Sequence, residues 1–486
     1  MSEHFDVIVV GAGLSGIGAG SHLQRRCPDR SYVILENRER IGGTWDLFRY
    51  PGIRSDSDMY TLGYAFKPWR GDNAIADGAS IRKYVTDTAI EQGIDKHIRF
   101  RHKVVSAEWS SETSRWTVTA VRRGQDSEPE ERVQLTCSFL FMCAGYYRYD
   151  AGYTPDLPGR ERFAGRIIHP QHWPEDLDYQ GKRVVVIGSG ATAVTLVPSM
   201  AHAGAGHVTM LQRSPTYVIS RPARDGLAHA LRGVVPEKLA YDVVRWKQVL
   251  LGMFFFQLSR RAPKLVSRRM RERVAEALPG YDVATHFTPR YKPWDQRVCL
   301  IPDGDLFEAI KSGKVSIVTD QIETFTERGI QLKSGDELMA DIIVTATGLE
   351  LIALGGMSVT VDGQPFEPPK TMSYKAMMFR DVPNLASSFG YTNASWTLKA
   401  DLTCAYVCRL LNHMKKHGYT RCTPRLTDPS VSEVPWLDFT SGYVQRAANV
   451  LPKQGSRMPW RVHQNYALDL LALKFGKVED GAMEFR

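Results

Sequence analysis

The sequence predicts an α/β protein with two Rossmann-like dinucleotide-binding domains and a helical insertion. Two observations lead to this prediction. A pattern of strand, glycine-rich turn, helix and strand opens the chain, and the same pattern recurs after residue 182. In addition, 486 residues exceed one ordinary hydrophobic core and suit roughly two or three domains.

The first unit places glycine at Gly11, Gly13 and Gly16, between an apolar strand pattern and an amphipathic helix. The first glycine permits a tight turn, the second lets a pyrophosphate approach the backbone, and the third lets the helix pack on the strand. The helix N-terminus offers free N–H groups to phosphates, and the Ser15 hydroxyl lies within reach. Glu36 ends the second strand pattern, where a carboxylate accepts hydrogen bonds from ribose hydroxyls.

The second unit repeats this arrangement with small differences. Ala193 replaces the third glycine and is still small enough for helix packing. Gln212 and Arg213 end its second strand pattern. The predicted phosphate-binding turn and helix start are Gly188, Ser189, Gly190, Ala191, Thr192, Ala193 and Val194.

Opposite charges distinguish the two units. Glu36 and Arg213 stand at the same distance from the first glycine of their turns. A carboxylate there suits a free ribose 2′-hydroxyl, whereas an arginine suits a 2′-phosphate through charge-assisted hydrogen bonds. We therefore expect FAD in the first unit and NADPH in the second.

Two further strand patterns end in small residues near Gly145 and Gly348, where we expect the chain to cross between domains. Residues 104–121 read as a hairpin, and the backbone of Val104 is expected at the adenine end of FAD. The predicted domains are FAD-binding (1–148 and 347–486), NADPH-binding (149–221 and 291–346) and a helical insertion (222–290).

Composition narrows the class of protein. A hydrophobic fraction of 43% with 24% charged residues is typical of a soluble globular chain. The net charge of +9 comes without an RRM, zinc-finger or basic-helix signature, so anionic cofactors explain it better than nucleic acid.

The seven cysteines show no CxxC, no CxxxxC and no Cys/His spacing typical of a metal site. We therefore expect no metal, no disulfide framework and no redox pair of the kind that a disulfide reductase needs. The chain opens on a strand pattern and not on a secretory signal, which favours a cytoplasmic location.

The longest apolar run, residues 249–256, falls short of the roughly 18 residues that a membrane span needs. Arg260, Arg261, Lys264 and Arg268 follow it closely. Two interpretations stay open: a buried helix of the insertion, or peripheral contact with the inner face of the cell membrane.

Residues 163–174 resemble FxGxxxHxxxWP, the fingerprint of the Baeyer-Villiger monooxygenases; its members here are Phe163, Gly165, His169, Trp173 and Pro174. Similarity continues over nearly the whole chain and resembles in particular the mycobacterial, ethionamide-activating branch of the family. Further matching strings are residues 42–46, 49–56, 293–297 and 390–396.

The resemblance implies an NADPH- and O2-dependent flavin monooxygenase. In that family a C4a-peroxyflavin inserts one oxygen beside a ketone carbonyl, giving esters or lactones, and also oxidises the sulfur of thioethers and thioamides. Arg297 matches the arginine that stabilises the peroxide, and Asp56 matches its carboxylate partner. The FAD-binding positions that it implies, with their neighbours, are Thr44, Trp45, Asp46, Leu47, Arg54, Ser55 and Asp56. Gln296 stands where related ketone oxygenases often have lysine, which leaves more of the 2′-phosphate binding to Arg213.

His169 is interpreted as a hydrogen-bond anchor at the domain junction, because no paired carboxylate or nucleophile accompanies it. Two other functions are alternatives: an N- or S-oxygenating flavin monooxygenase without ketone activity, and a non-catalytic escort protein with an FAD-type fold. The second nucleotide unit argues against the escort protein.

Overall fold

The computed structural model describes residues 3–124, 129–437 and 439–486. The α-helices are α1 (Leu14–Arg26), α2 (Thr44–Leu47), α3 (Met59–Leu62), α4 (Gly78–Glu91), α5 (Ala191–His202), α6 (Gly226–Leu231), α7 (Glu237–Arg261), α8 (Pro263–Ala277), α9 (Val283–His286), α10 (Asp305–Lys311), α11 (Trp396–His417), α12 (Gly442–Arg446) and α13 (Tyr466–Leu470). A π-helical turn, Leu471–Phe475, continues α13.

The strands are β1 (Glu3–Val10), β2 (Tyr32–Leu35), β3 (Ile98–Arg99), β4 (His102–Ser110), β5 (Arg115–Arg122), β6 (Glu131–Met142), β7 (Arg166–Ile168), β8 (Arg183–Ile187), β9 (His207–Gln212), β10 (Tyr217–Arg221), β11 (Val298–Pro302), β12 (Val315–Thr319), β13 (Ile322–Phe325), β14 (Gly329–Leu332), β15 (Glu337–Met339), β16 (Ile342–Thr345), β17 (Ser358–Val361), β18 (Gln364–Pro365), β19 (Ser373–Tyr374), β20 (Met378–Phe379), β21 (Leu385–Ser387), β22 (Cys422–Pro424), β23 (Glu433–Pro435), β24 (Lys453–Gly455) and β25 (Met483–Phe485).

The first large sheet has the order β18-β17-β4-β5-β6-β1-β2-β3, with β21 also paired to β6. Strand β1 runs parallel to β2 and β6, whereas β4, β5 and β6 form an antiparallel meander. Helices α1, α4 and α11 bury their apolar faces in one hydrophobic core against this sheet. Where β1, β2 and β6 are covered on both faces, at residues 7–10, 32–35 and 139–142, every position is apolar.

The second large sheet is parallel throughout, with the order β12-β9-β8-β16-β7. Helices α5 and α10 pack on one face, and the small sheet of β13, β14 and β15 covers the other. Its strands β8 and β16 are likewise apolar over residues 184–187 and 342–344, because both faces of the sheet are buried there. Two parallel units, each with a glycine turn before its first helix, confirm the predicted fold class.

In each unit, the segment that follows a central strand of the sheet packs closely against the first glycine of the turn. A Cβ added to Gly11 would lie 2.7 Å from the carbonyl oxygen of Cys143, which follows β6. A Cβ added to Gly188 would lie 2.4 Å from the carbonyl oxygen of Ala346, which follows β16. Both glycines also have positive φ, so each turn excludes a side chain for two reasons.

Residues 226–286 are mostly helical, as predicted, but the apolar run in α7 is not the buried helix that one interpretation expected. Leu250 is 59% exposed and Phe254 is 66% exposed. The buried side of α7 is instead formed by Tyr241, Val244 and Arg245 with their neighbours. Within the described ranges, no helix is both long and apolar enough to cross a bilayer.

Candidate active site

One cavity of about 880 Å³ joins the glycine turn of the first unit to helix α7 and the C-terminal segment. Gly13 and Glu36 line it, as do Arg297, Phe254 and Trp396. A cavity of this size lies near the upper end of the range of about 300–1,000 Å³ that is typical of small-molecule and cofactor sites. Its volume therefore suits a large ligand such as a cofactor.

The first glycine turn is tightly constrained. Gly13 caps α1 without any side-chain hydrogen bond, so the first N–H groups of the helix have no side-chain cap. A Cβ on Gly16 would lie 1.8 Å from the carbonyl oxygen of Gly11, which explains the third glycine. The Ser15 hydroxyl accepts a 2.8 Å hydrogen bond from Trp396 Nε1 and one of 3.2 Å from Ser388.

Glu36 lies where the sequence placed it, at the end of β2 and in the cavity wall. Its two carboxylate oxygens accept backbone hydrogen bonds from Ala12 (2.6 Å) and Arg38 (2.8 Å). Burial raises the pKa of Glu36, and these two hydrogen bonds act against that rise. The carboxylate is thereby held in one position at the edge of the cavity.

Among the predicted FAD-binding positions on α2, Thr44 and Trp45 line the cavity, whereas Asp46 and Leu47 do not. Asp46 is 2% exposed and accepts hydrogen bonds from Arg38 (2.6 Å) and Arg82 (3.1 Å). Burial acts to raise the pKa of Asp46, but the arginines outweigh it and lower the pKa. The structure therefore uses Asp46 to fix α2 in place.

The predicted FAD-binding positions after α2 also separate into residues that line the cavity and a residue that does not. Ser55 and Asp56 line the cavity, and Ser55 Oγ accepts a hydrogen bond from the backbone N–H of Ser57 (2.9 Å). Arg54 points elsewhere and donates a 2.5 Å hydrogen bond to Asp305. Val104 lines the cavity, and its contact with the adenine end of FAD stays a prediction.

Arg297 and Asp56 meet in the cavity wall, although 241 positions separate them in the chain. Arg297 Nη1 donates to Asp56 Oδ2 at 2.6 Å, and both side chains keep part of their surface exposed to the cavity. Tyr443, and after it Asp56, raise the pKa of Arg297 well above its usual range. The guanidinium therefore stays positively charged at physiological pH.

Tyr146 and Tyr147 are residues of this site that the sequence did not single out. They follow Gly145 at the first crossing, line the cavity, and their hydroxyls lie 3.1 Å apart. The Tyr146 ring stacks on Trp396 with centroids 5.2 Å apart. Their position directly after the crossing glycine is the signal that could have identified them.

The second glycine turn also leaves its helix N-terminus open. Gly190 caps α5 without a side-chain hydrogen bond, and a Cβ there would meet nothing within 4 Å. Ser189 Oγ donates to the carbonyl oxygen of Ser214 (3.1 Å) and ties the turn to the segment after β9. Gly188, Ala191 and Thr192 are partly exposed, and Ala193 and Val194 pack in the core.

Arg213 is exposed beside this turn, but its predicted companion Gln212 faces the other way. Gln212 is 1% exposed and donates to the carbonyl oxygen of His286 (2.8 Å) and to Thr319 Oγ1 (2.9 Å). Its side chain therefore holds α9 against β12 and is not available to a nucleotide.

His169 anchors the second crossing. Its Nδ1 accepts a hydrogen bond from the backbone N–H of Gln171 (3.2 Å), so Nε2 carries the proton that it donates to the carbonyl oxygen of Gly348 (3.2 Å). Burial lowers the pKa of His169. Both ring nitrogens are thus used in backbone contacts, which agrees with the anchor interpretation.

A buried ion pair supports the cavity wall from behind. Lys399 Nζ lies 2.8 Å from Asp469 Oδ2, with both side chains at most 5% exposed, and Tyr391 donates a 2.6 Å hydrogen bond to the same carboxylate. Tyr391 itself lines the cavity. Burial lowers the pKa of Lys399, and Asp469 opposes that shift.

We expect Lys399→Met to destabilise the protein by about 3–5 kcal/mol, because it leaves the Asp469 carboxylate buried without its cation. Lys399→Met combined with Asp469→Leu should recover most of that loss. Urea unfolding followed by tryptophan fluorescence measures both. Additive losses in the double variant would contradict a direct interaction between the two side chains.

Fold and site together define a flavoprotein monooxygenase with two dinucleotide-binding units. Residues 71–353 match the flavin-binding monooxygenase-like family, and residues 9–69 match the NAD(P)-binding Rossmann-like domain. The chain belongs to the flavin-binding monooxygenase-like family, which confirms the predicted class of enzyme.

Curated relatives match over the full length. The FAD-containing monooxygenase EthA of Mycobacterium tuberculosis (strain ATCC 25618 / H37Rv) is 56% identical over 486 residues, covering 100% of this chain and 98% of that protein. EthA of Mycolicibacterium smegmatis is 54% identical with the same coverage. These relatives confirm the resemblance to the mycobacterial branch.

Solved structures share the fold at low identity. Oxidized steroid monooxygenase bound to NADP superposes with a TM-score of 0.75 at 22% identity, covering 99% of each chain. Cyclohexanone monooxygenase from Rhodococcus sp. Phi1 bound to NADP+ has a TM-score of 0.75 at 19% identity, covering 100% of each chain. NADP is named for both of these structures and FAD for the EthA relatives, and the two cofactors agree with those predicted here.

Proposed function

We propose that this protein is an NADPH- and O2-dependent Baeyer-Villiger monooxygenase that holds FAD in its first unit. The overall reaction converts ketone, O2, NADPH and H+ into an ester or lactone, NADP+ and water. One observation supports it above all others: a single cavity is lined by both the phosphate-binding turn of the first unit and the Arg297–Asp56 pair.

The described residues fit FAD. Gly11 and Gly13 would approach its pyrophosphate, Glu36 would accept from its ribose, and Thr44, Trp45, Ser55 and Asp56 would line the space beside its ring system. When bound, the flavin accepts hydride from NADPH and activates O2 for transfer to the substrate.

Arg297 supplies electrostatic stabilisation in this proposal. The pKa of Arg297 is raised, and Asp56 binds one nitrogen of the guanidinium group. The remaining N–H groups can therefore donate hydrogen bonds to negative charge that develops in the cavity. A permanently protonated arginine holds such an oxyanion in place without giving up a proton. Tyr146 and Tyr147 would limit water around it.

The domain boundaries, the oxidation of sulfur substrates and the location of the protein are also part of this proposal. We place the domain boundaries as the sequence predicted them: FAD-binding (1–148 and 347–486), NADPH-binding (149–221 and 291–346) and helical insertion (222–290). Oxygenation of thioethers and thioamides would use the same cavity. The location belonging to this proposal is cytoplasmic, with peripheral contact at the inner face of the membrane; the exposed apolar side of α7 supports the membrane contact.

The reaction itself is tested by incubating the purified holoenzyme with NADPH and either a ketone or a matched thioether. We expect NADPH oxidation with an ester product from the ketone and a sulfoxide from the thioether. A sulfoxide without any ester would favour the N- or S-oxygenating alternative.

The cofactor assignment of the second unit depends on Arg213. We expect Arg213→Glu to weaken the binding of NADPH and to raise the KM for NADPH by about 100-fold. The reason is that the glutamate replaces a charge-assisted contact with repulsion of the 2′-phosphate. KM for NADH should change little. The matched control is Arg132→Glu, an equal charge change at an exposed position on β6. An unchanged ratio of NADPH to NADH use would contradict the assignment.

A further inference from the structure

Helix α7 carries a row of apolar side chains on the face that is directed toward solvent. Its inner face is anchored by Arg245, whose Nη1 donates to the carbonyl oxygens of Tyr60 (2.7 Å) and Gly63 (2.8 Å). The opposite, outward face is apolar, although outward faces of surface helices are normally polar. Its members, spaced three or four residues apart, are Leu239, Val243, Trp246, Leu250 and Phe254, and each is more than 40% exposed.

The C-terminal helical turn extends this surface. Leu468, Leu471 and Phe475 are exposed there, again three and four residues apart. Trp246 of α7 contacts the ring of Tyr466 with centroids 5.9 Å apart, which brings the two apolar rows together. We call these eight side chains, five on α7 and three on the C-terminal turn, the docking face. Soluble monomers rarely expose a contiguous apolar surface of this kind without a partner.

Basic side chains border the docking face. Arg261 continues the apolar row of α7 at its last turn, and Lys264 follows at the start of α8. Both are exposed, and neither makes a salt bridge within the described part of the chain. Lys474 and Lys477 are exposed beside Phe475. An apolar centre with a basic border is complementary to a bilayer that contains anionic lipids.

The cavity opens on the same side of the molecule. Leu251 and Phe254 both line the cavity and are exposed, at 50% and 66%. Tyr466 also lines the cavity, next to Trp246 of the docking face. A molecule dissolved in a bilayer could therefore enter between α7 and the C-terminal turn without passing through water.

We propose that the docking face seats this protein on an anionic membrane, and that its substrates are ketones with long acyl chains taken up directly from the bilayer. The substrate part of this inference rests on the proposed Baeyer-Villiger function, whereas the docking part rests on the surface alone. An anionic membrane is favoured over a second copy of the chain because the basic border would repel its own image.

The test uses the holoenzyme and sedimentation with vesicles of phosphatidylcholine, with or without phosphatidylglycerol. We expect binding to the anionic vesicles, weakened by high salt, and an affinity about tenfold lower for Leu250→Gln combined with Leu471→Gln. Both leucines are 59% exposed, and neither lines the cavity. Ile90→Gln, at a position on α4 that is also 59% exposed, is the matched control and should bind like the wild type.

Activity separates docking from chemistry. The double variant should oxidise a long-chain ketone presented in vesicles about tenfold more slowly than the wild type, while its rate on a short water-soluble ketone stays unchanged. Wild-type protein that remains in the supernatant, or a double variant that sediments as well as Ile90→Gln, would overturn the docking proposal. Self-association that the double variant abolishes, without vesicle binding, would assign the face to a second copy instead. Vesicle binding with no ester from either ketone would support docking and refute the proposed function.

Discussion

Arg297→Ala is expected to lower the rate of ester formation by about 10³-fold while NADPH oxidation continues. Removing one preorganised donor from a site of charge development typically costs about 10²–10³-fold in rate, and here the lost group also carries a full positive charge. In the proposed function, this guanidinium takes no part in hydride transfer. NADPH consumption should therefore become uncoupled and release hydrogen peroxide, which a peroxidase assay measures beside the ester.

Two variants sharpen this prediction. Arg297→Lys keeps the positive charge but loses the planar guanidinium group that donates to Asp56. It should therefore retain only part of the wild-type activity. Arg290→Ala removes an exposed arginine seven positions earlier in the chain and should behave like the wild type. An Arg297→Ala enzyme that forms ester with wild-type yield per NADPH would exclude the proposed role.

Gly16→Ala is expected to cost about 3 kcal/mol or more of folding stability and most of the bound FAD. The new Cβ would stand 1.8 Å from the carbonyl oxygen of Gly11, so the turn that cradles the pyrophosphate must move. Flavin absorbance per protein and thermal unfolding report the two effects. Gly226→Ala, at a position where a Cβ meets nothing within 4 Å, is the control. Retention of full flavin by Gly16→Ala would show that the turn is looser than the structure indicates.

The glycine turns and the two sheets were predictable because their signals are local. Gly11 and Gly188 stand directly after strands, and their close contacts with the crossing segments follow from the fold. The positions of Glu36 and Arg213 in the fold were predictable for the same reason, since each directly follows a strand of its own unit. The nucleotide contacts assigned to them stay predictions.

The partners of several other side chains were not predictable from sequence. Arg54 pairs with Asp305, which lies 251 positions away, and the buried Asp46 is held by Arg38 and Arg82. Such contacts depend on how distant elements pack. Gln212 is a different case: side chains alternate along a strand, so a residue next to the outward Arg213 should have been expected to face inward.

The exposed side of α7 shows a similar limit. Its apolar run indicates burial, and only the packed structure reveals that Arg245 turns the opposite face toward the core. Hydrophobic periodicity identifies a face but does not say what covers it.

The central claim, that one cavity couples NADPH oxidation to insertion of an oxygen atom into a substrate, is tested most directly with isotopically labelled O2. The holoenzyme, NADPH and a ketone under ¹⁸O2 should give an ester that contains one labelled atom for each NADPH consumed, as read by mass spectrometry. Unlabelled product, or NADPH oxidation that yields only hydrogen peroxide with every ketone and thioether supplied, would contradict it.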